Sequence, residues 1–243
     1  MAIALDTSAS SLTTTVALNH VANVLVLGAT ANNTTGITAT CGGATMNLLT
    51  STPIFGSTYL YVFYLYRVAA ANENIVFSGG TTSTFLAASF TGGSDTSPYI
   101  ELTSQATGNS GTASTNVGSG TSNRWVIQAV GVNASYAVAP SAGQTEIVEG
   151  YNLGNLTSEL NYNATALTVT MSATFTSNAW GTIAFGILPS QVLAPILTPP
   201  RQIDPYLRRF IMWACTENFM IPAGSYYRVS LAKGAGTPSF LLR

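Results

Sequence analysis

The chain has 243 residues, a net charge of −1 and a mean hydropathy of +0.31; 47% of its residues are hydrophobic and only 7% are Asp, Glu, Lys or Arg. This hydrophobic content excludes a disordered chain, and the length suffices to bury a sizeable core in one all-β domain. Ordinary globular domains carry about 25% charged residues; here 24 Ser and 34 Thr take that place, wetting a surface without charge, and Thr also suits a pleated strand.

A freely diffusing protein uses charge to stay soluble and to block sheet edges. A chain this poor in charge is expected to hold a fixed, high-copy place in an assembly, where partners cover its edges. A secreted domain with an uncharged, hydroxyl-rich surface is the alternative.

In chain order, Met1–Ser10 has neither a basic start nor a long apolar run, so no secretory signal is expected. Strands are predicted at Asn23–Gly28, Tyr59–Val68, Asn74–Ser78, Thr84–Thr91, Tyr99–Thr103 and Arg124–Val132, separated by Gly, Ser, Asn and Thr connectors. Tyr59–Val68 is apolar or aromatic on both faces and should lie centrally or face a partner. The run Tyr59–Ala71, broken by Arg67, is too short to span a bilayer as a helix. Thr107–Ser122 (TGNSGTASTNVGSGTS) is of low complexity and reads as a long exposed loop or an irregular edge. From Leu167 to Thr176 apolar residues alternate with Thr and Ser, a half-buried strand, and Ala179–Leu188 is expected to return as a hairpin across Ser177-Asn178. No fixed-period repeat appears. The fold expected is an all-β antiparallel sandwich or jelly roll with a short C-terminal extension.

Pro189, Pro195, Pro199 and Pro200 mark a boundary. The expected organisation is a sandwich body over 1–188, a linker over 189–200 and an appendage over 201–243. Charge divides there as well: residues 1–200 sum to −5 and residues 201–243 to +4. In the appendage, Asp204-Pro205 fits a helix start that would put Tyr206, Phe210 and Trp213 on one face, although YLRRFIMWAC also fits a strand. Ser225–Ala232 reads as a strand. Tyr206, Arg208, Arg209, Phe210 and Trp213, with the apolar Phe240, Leu241 and Leu242, are the candidate anchor, since aromatics and Arg dominate interface energetics. Arg208-Arg209 beside aromatics also has the composition of a nucleic-acid contact, but six bases in this segment are a modest excess above an acidic body, so no nucleic-acid partner is expected.

Chemistry-bearing patterns are sparse. His20 is the only histidine, and Cys41 and Cys215 lack metal-ligand spacing, so neither a zinc site nor a Cys–His dyad is expected, and two buried thiols are the simplest state. No Gly-x-Ser-x-Gly elbow, phosphate loop or EF-hand is present. Asp95, Glu101, Glu146, Glu149 and Glu159 are the carboxylates from which a glycosidase pair would be drawn. Glu146 and Glu149 are three apart and should point to opposite faces of a strand, so these acids read as the few solvating charges of the body; Asp95 with loop carbonyls is the one calcium arrangement considered. No enzyme activity and no cofactor are expected.

Six stretches in order, IALDTSAS, NVLVLGA, CGGATMN, VFYLYRVAAANENIVFSG, AASFTGGSDTSPY and AWGTIAFGILP, cover about residues 3–190. Together they resemble a family of Ser/Thr/Gly-rich, jelly-roll-like proteins of bacteriophage particles, and IPAGSYYRVSL is similar to closing hairpins of phage fibre and appendage proteins. The resemblance implies a viral structural protein of the virion: a capsid decoration protein, head fibre or tail component, assembled in the host cytoplasm as a homo-oligomer among other virion proteins. An adhesin-like module binding host-surface glycans through Tyr99, Tyr136, Tyr151 and Trp180 is the alternative, and an enzyme acting on polysaccharide a third.

Overall fold

A computed structural model describes residues 2–32, 35–79, 83–121, 123–152, 156–164, 168–190, 227–229 and 240–242. The chain divides into two compact units, Met1–Val192 and Leu193–Arg243. Among the described residues every regular element is a strand, and no helix is long and apolar enough to cross a membrane.

The first unit is built from three antiparallel sheets. One has five strands in the order β1 (Ala4–Ser11), β9 (Ser83–Thr91), β3 (Val24–Asn32), β7 (Thr58–Arg67), β6 (Asn47–Phe55). The second has four: β2 (Thr15–His20), β8 (Ala71–Ser78), β4 (Thr38–Cys41), β5 (Ala44–Thr45). The third runs β10 (Ile100–Val117), β15 (Val169–Ile187), β11 (Trp125–Val132), β14 (Leu156–Asn163), β13 (Thr145–Asn152), with β12 (Ala139–Pro140) also on β15.

The five-stranded sheet is the middle layer, because its side chains are apolar on both faces. Leu25, Leu27, Ala29, Leu60, Val62, Leu86, Ala88 and Phe90 pack with Ile127, Ala129, Leu160, Ile183 and Phe185 of the six-stranded sheet. The alternate residues Val24, Val26, Tyr61, Phe63, Phe85 and Ala87 pack with Val16, Leu18, Ala39, Cys41, Ile75 and Phe77 of the four-stranded sheet. A strand covered on both sides reads as a near-continuous apolar run, as β3 does: all nine of its residues are buried. Tyr59–Val68, expected to be central, is β7, inside this sheet.

Glycines let the layers approach closely. Gly131 and Gly181 are cross-strand partners, and β6 rests on the notch they leave: a Cβ on Gly181 would lie 2.5 Å from the Pro53 carbonyl oxygen and one on Gly131 2.5 Å from Ile54 Cδ1.

The expected hairpin across Ser177-Asn178 does not form. Val169–Ile187 is one strand of 19 residues. Its partner β10 pairs Ser110 with Asn178 and Thr112 with Thr174, so residues 175–177 bulge opposite Gly111. The turn composition is real but marks a bulge, which sharpens local bend and twist. Thr107–Ser122, expected as a loop or irregular edge, is for most of its length the outer strand of the sheet.

The bend folds the β10–β15 ribbon back on itself. Ser104 and Thr115 hydroxyls hydrogen-bond at 2.8 Å, although eleven residues of straight strand would separate them by about 35 Å. The returning half brings Val117 and Met171 onto Val126 and Ala184, and Ala113 and Ala173 onto Val130 and Val132, on the face of β11 opposite Ile127. The turn is sealed by Trp180, whose Nε1–H donates to Ser110 Oγ at 3.0 Å, with the ring against Gly108.

The body runs past the boundary expected at Leu188: Ser94 N–H donates to Leu188 O at 2.8 Å, Ser190 N–H donates to Gly92 O at 2.8 Å, and Pro189 bridges Gly93. In the second unit, β16 (Tyr227–Val229) pairs antiparallel with β17 (Phe240–Leu242).

Gly181→Ala is expected to force β6 away from the six-stranded sheet and to destabilise the body by about 1–3 kcal/mol, as overpacking does. The urea midpoint, compared with that of Gly118→Ala, where a Cβ meets open space, checks it.

Candidate functional site

Of the anchor residues, Tyr206, Arg208, Arg209, Phe210 and Trp213 lie outside the described residues, as does Cys215. Phe240, Leu241 and Leu242 form β17, opposite Val229, Arg228 and Tyr227.

Seven of the nine charged residues of the body fall in three clusters; the other two are Asp6, which accepts from Ser89 Oγ at 2.8 Å, and the exposed Asp95. The first cluster lies on the inner face of the four-stranded sheet. Pairing sets Leu18 opposite Glu73 and Cys41 opposite Ile75, and residues two apart on a strand share a face, so His20, Cys41 and Glu73 converge from β2, β4 and β8. His20 and Cys41 are buried. His20 Nε2 lies 3.2 Å from Glu73 Oε2, and the Cys41 thiol donates to the same oxygen at 3.2 Å. Arg67, at the end of β7 in the middle sheet, pairs with the other oxygen, Oε1. His20 Nδ1 lies 2.8 Å from Val21 O. Burial pushes the Glu73 carboxyl up, but the hydrogen bonds from Arg67, His20 and Cys41 outweigh it and hold it below the usual carboxylate range. Burial, reinforced by the Glu73 carboxylate, pushes the Cys41 thiol up to about 12. Such a thiol is no activated nucleophile. This cluster, which sequence spacing did not foreshadow, is the group of His, Cys and carboxylate side chains able to hold a cation among the described residues.

The second cluster surrounds Arg124, which is fully buried. Its Nη1 donates to Glu101 Oε1 at 3.1 Å and its Nη2 to Gly118 O. Thr121 adds N–H and O–H bonds to the same carboxylate at 2.8 and 3.0 Å. A Cβ on Gly120 would overlap Arg124 Nη1, which leaves no room for a side chain there, and one on Gly186 would crowd Arg124 Cδ at 3.0 Å. The glycine-rich end of the low-complexity stretch is thus a collar around a buried ion pair.

The third cluster corrects the reading of Glu159 as a solvating charge, while Glu146 and Asp95 are exposed as that reading has them. A register shift between Glu146 and Val148 sets Glu146 opposite Asn161 and Glu149 opposite Glu159. The bulge brings both acids to one face, where plain strand geometry separates them. Glu159 is fully buried. Asn161 Nδ2 donates to Glu159 Oε1 at 2.8 Å and to Gln128 Oε1 at 3.2 Å, and Gln128 Nε2 donates to Thr182 Oγ1 at 2.9 Å. Glu159 Oε2 and Asn161 Oδ1 have no hydrogen-bond partner among the described residues. Burial, with Glu146 and Glu149 nearby, pushes the Glu159 carboxyl up to about 8.

The aromatic groups considered for sugar stacking separate. Trp180 is 7% exposed and committed to Ser110, whereas Tyr136 and Tyr151 are about half exposed, at 46% and 47%. Tyr99 stacks on Tyr66 with centroids 5.4 Å apart. Beside this pair lies a depression of about 420 Å³ lined by Asn23, Tyr66, Val68, Gly92, Gly93, Asp95 and Ser190.

No family model, no curated protein and no solved structure matches this chain.

Two outcomes follow from the buried charges. Glu101→Ala removes the carboxylate paired with the buried Arg124 and is expected to cost about 3–5 kcal/mol of stability in denaturant unfolding. Glu159 has a folded-state value above its ordinary 4.5, so its contribution is full below that pH and lost as pH rises through about 8. The loss is on the order of a few kcal/mol. Glu159→Gln keeps an acceptor for Asn161 without the titration, and is expected to flatten the decline in melting temperature between pH 5 and 9.

Proposed function

We propose that this chain is a non-enzymatic structural protein of a bacteriophage particle, of accessory type (capsid decoration, head fibre or tail component), assembled in many copies on the virion. The observation that carries the reading is the placement of charge. Two ion pairs that would ordinarily decorate a surface, Arg124–Glu101 and Arg67–Glu73, lie inside the body, and the sheet edges are poor in charge. Of the six edge strands of the three sheets, β2, β5 and β6 contain no Asp, Glu, Lys or Arg; β10 contains only Glu101, committed to Arg124, β1 contains only Asp6, which accepts from Ser89 Oγ, and β13 carries Glu146 and Glu149. Pro53 and two register shifts blunt the backbone of β6, yet Leu48 and Phe55 on that strand are 50% and 61% exposed. Lone proteins guard their edges with charge, Lys above all; the one lysine of this chain is Lys233. Edges of this kind suit a surface that neighbouring copies or other virion proteins cover. The ordered resemblance over about residues 3–190 supplies the phage context, and the basic, aromatic segment 201–243 is the anchor in this reading.

A second reading, glycan binding by an adhesin-like module, is favoured by one feature: the Tyr66–Tyr99 stack and Asp95 border a depression open to a small ligand. An aromatic face beside a carboxylate suits a sugar ring. A glycan-binding screen of the wild-type chain and Tyr66→Ala separates this reading from a purely structural role.

Antibody labelling of particles under negative stain is expected to place the protein at many equivalent positions. An anchor held by buried aromatics ranks Trp213→Ala, at about 3–5 kcal/mol, well above Arg208→Ala, at about 0–1 kcal/mol, in loss of attachment. Moderate salt alone should not strip the protein from particles. Release by salt, with the opposite ranking, indicates an electrostatic tether instead.

A further inference from the structure

We propose that His20, Cys41 and Glu73 form a binding site for a borderline-soft divalent transition-metal ion, zinc above all, held between the four-stranded sheet and the end of β7. Three donor atoms of the types zinc prefers, an imidazole nitrogen, a sulfur and a carboxylate oxygen, lie within 4.8 Å of one another. Two edges of this triangle measure 3.2 Å. Such edges match one face of a tetrahedron drawn with Zn–N and Zn–O near about 2.0 Å and Zn–S near about 2.3 Å. The fourth vertex is left to water or another ligand. The site is reached past Glu73 and Arg67, whose side chains are 11% and 26% exposed, whereas that of His20 is fully buried.

The surroundings orient the donors, as hydrogen-bond partners behind the ligands do in metal sites. His20 turns Nδ1 to the Val21 carbonyl, which aims Nε2 at the cluster. Arg67 holds Glu73 by Oε1, leaving Oε2 to the other two groups. Gly42 gives the carboxylate its place, since a Cβ there would overlap it.

The charge balance closes within the ligand set: a dication meets the Cys41 thiolate and the Glu73 carboxylate. In the metal-free cluster the thiol donates a hydrogen bond to Glu73 Oε2. A dication binds by forming bonds to Nε2, Sγ and Oε2 while the S–H bond breaks and its proton leaves to solvent; the imidazole binds as the tautomer that keeps its proton on Nδ1, facing the Val21 carbonyl. The coordinated sulfur is a thiolate.

Cobalt(II) is the probe, because a thiolate ligand gives it a near-ultraviolet charge-transfer band and tetrahedral geometry gives it intense visible bands. The full chain carrying Cys215→Ser, unfolded in chelator and refolded to a sheet-type circular dichroism spectrum, is titrated with cobalt and then with zinc. The expected result is one cobalt per chain with both bands, bleaching on addition of zinc. The thiol proton should be released on binding, so affinity weakens about tenfold per unit as pH is lowered. With Cys215 removed, a thiolate band can come only from Cys41. Its absence in the refolded chain overturns the proposal, as does binding without the band. Cys41→Ser and His20→Gln in the same background should each abolish the band and the zinc-dependent rise in melting temperature. A rise that survives both overturns the proposal as well.

Discussion

The architecture depends on one constraint: the strands β3, β7 and β9 are apolar on both faces. Leu25, Leu27, Leu60, Val62, Leu86 and Phe90 point one way and Val26, Tyr61, Phe63 and Phe85 the other. Each buried side chain of this size is worth about 1.5–3 kcal/mol when removed from water, so neither face can be left wet. One cover is the six-stranded sheet and the other the small four-stranded sheet, and the result is a sandwich of three layers. The same logic repeats at the outer face of β11, where the returning half of the β10–β15 ribbon covers Val126 and Val130.

The electrostatics follow from this economy. In most soluble proteins charges face water and the core is apolar. Here Arg124 is fully buried against Glu101, Glu159 is buried between Gln128 and its acidic neighbours, and Glu73 gathers Arg67, His20 and Cys41 between two sheets. The charges of Arg124 and Glu73 are tolerated inside because they are paired and hydrogen-bonded, whereas burial among acids pushes the Glu159 carboxyl up to about 8 and favours its neutral form. Such clusters fix register, since a one-residue slip would strand a charge in the core.

The sequence was most legible where periodicity and physics coincide. The two-faced apolar run Tyr59–Val68 announced the central place of β7, Asn23–Gly28 announced a strand at β3, and the alternation from Leu167 announced the half-buried start of β15. Less legible were β1, β6, β13 and β14, whose small polar residues alternate weakly. The Ser177-Asn178 signal was a bulge rather than a turn because β10 runs alongside through Gly111, a fact of pairing and not of local composition. The site was the least legible part. His20, Cys41 and Glu73 are separated by 21 and 32 positions and meet only through the register of β2, β8 and β4, and Glu146 and Glu149 share a face only because a residue is inserted between them.

Native-state hydrogen exchange tests the central claim, that the doubly buried middle sheet holds the body together. Amides of β3, β7 and β9 should exchange only through global unfolding, with a free energy equal to that from denaturant, while β2, β4 and β8 open at lower cost. Middle-sheet amides that exchange as readily as those of the outer layers would contradict the account.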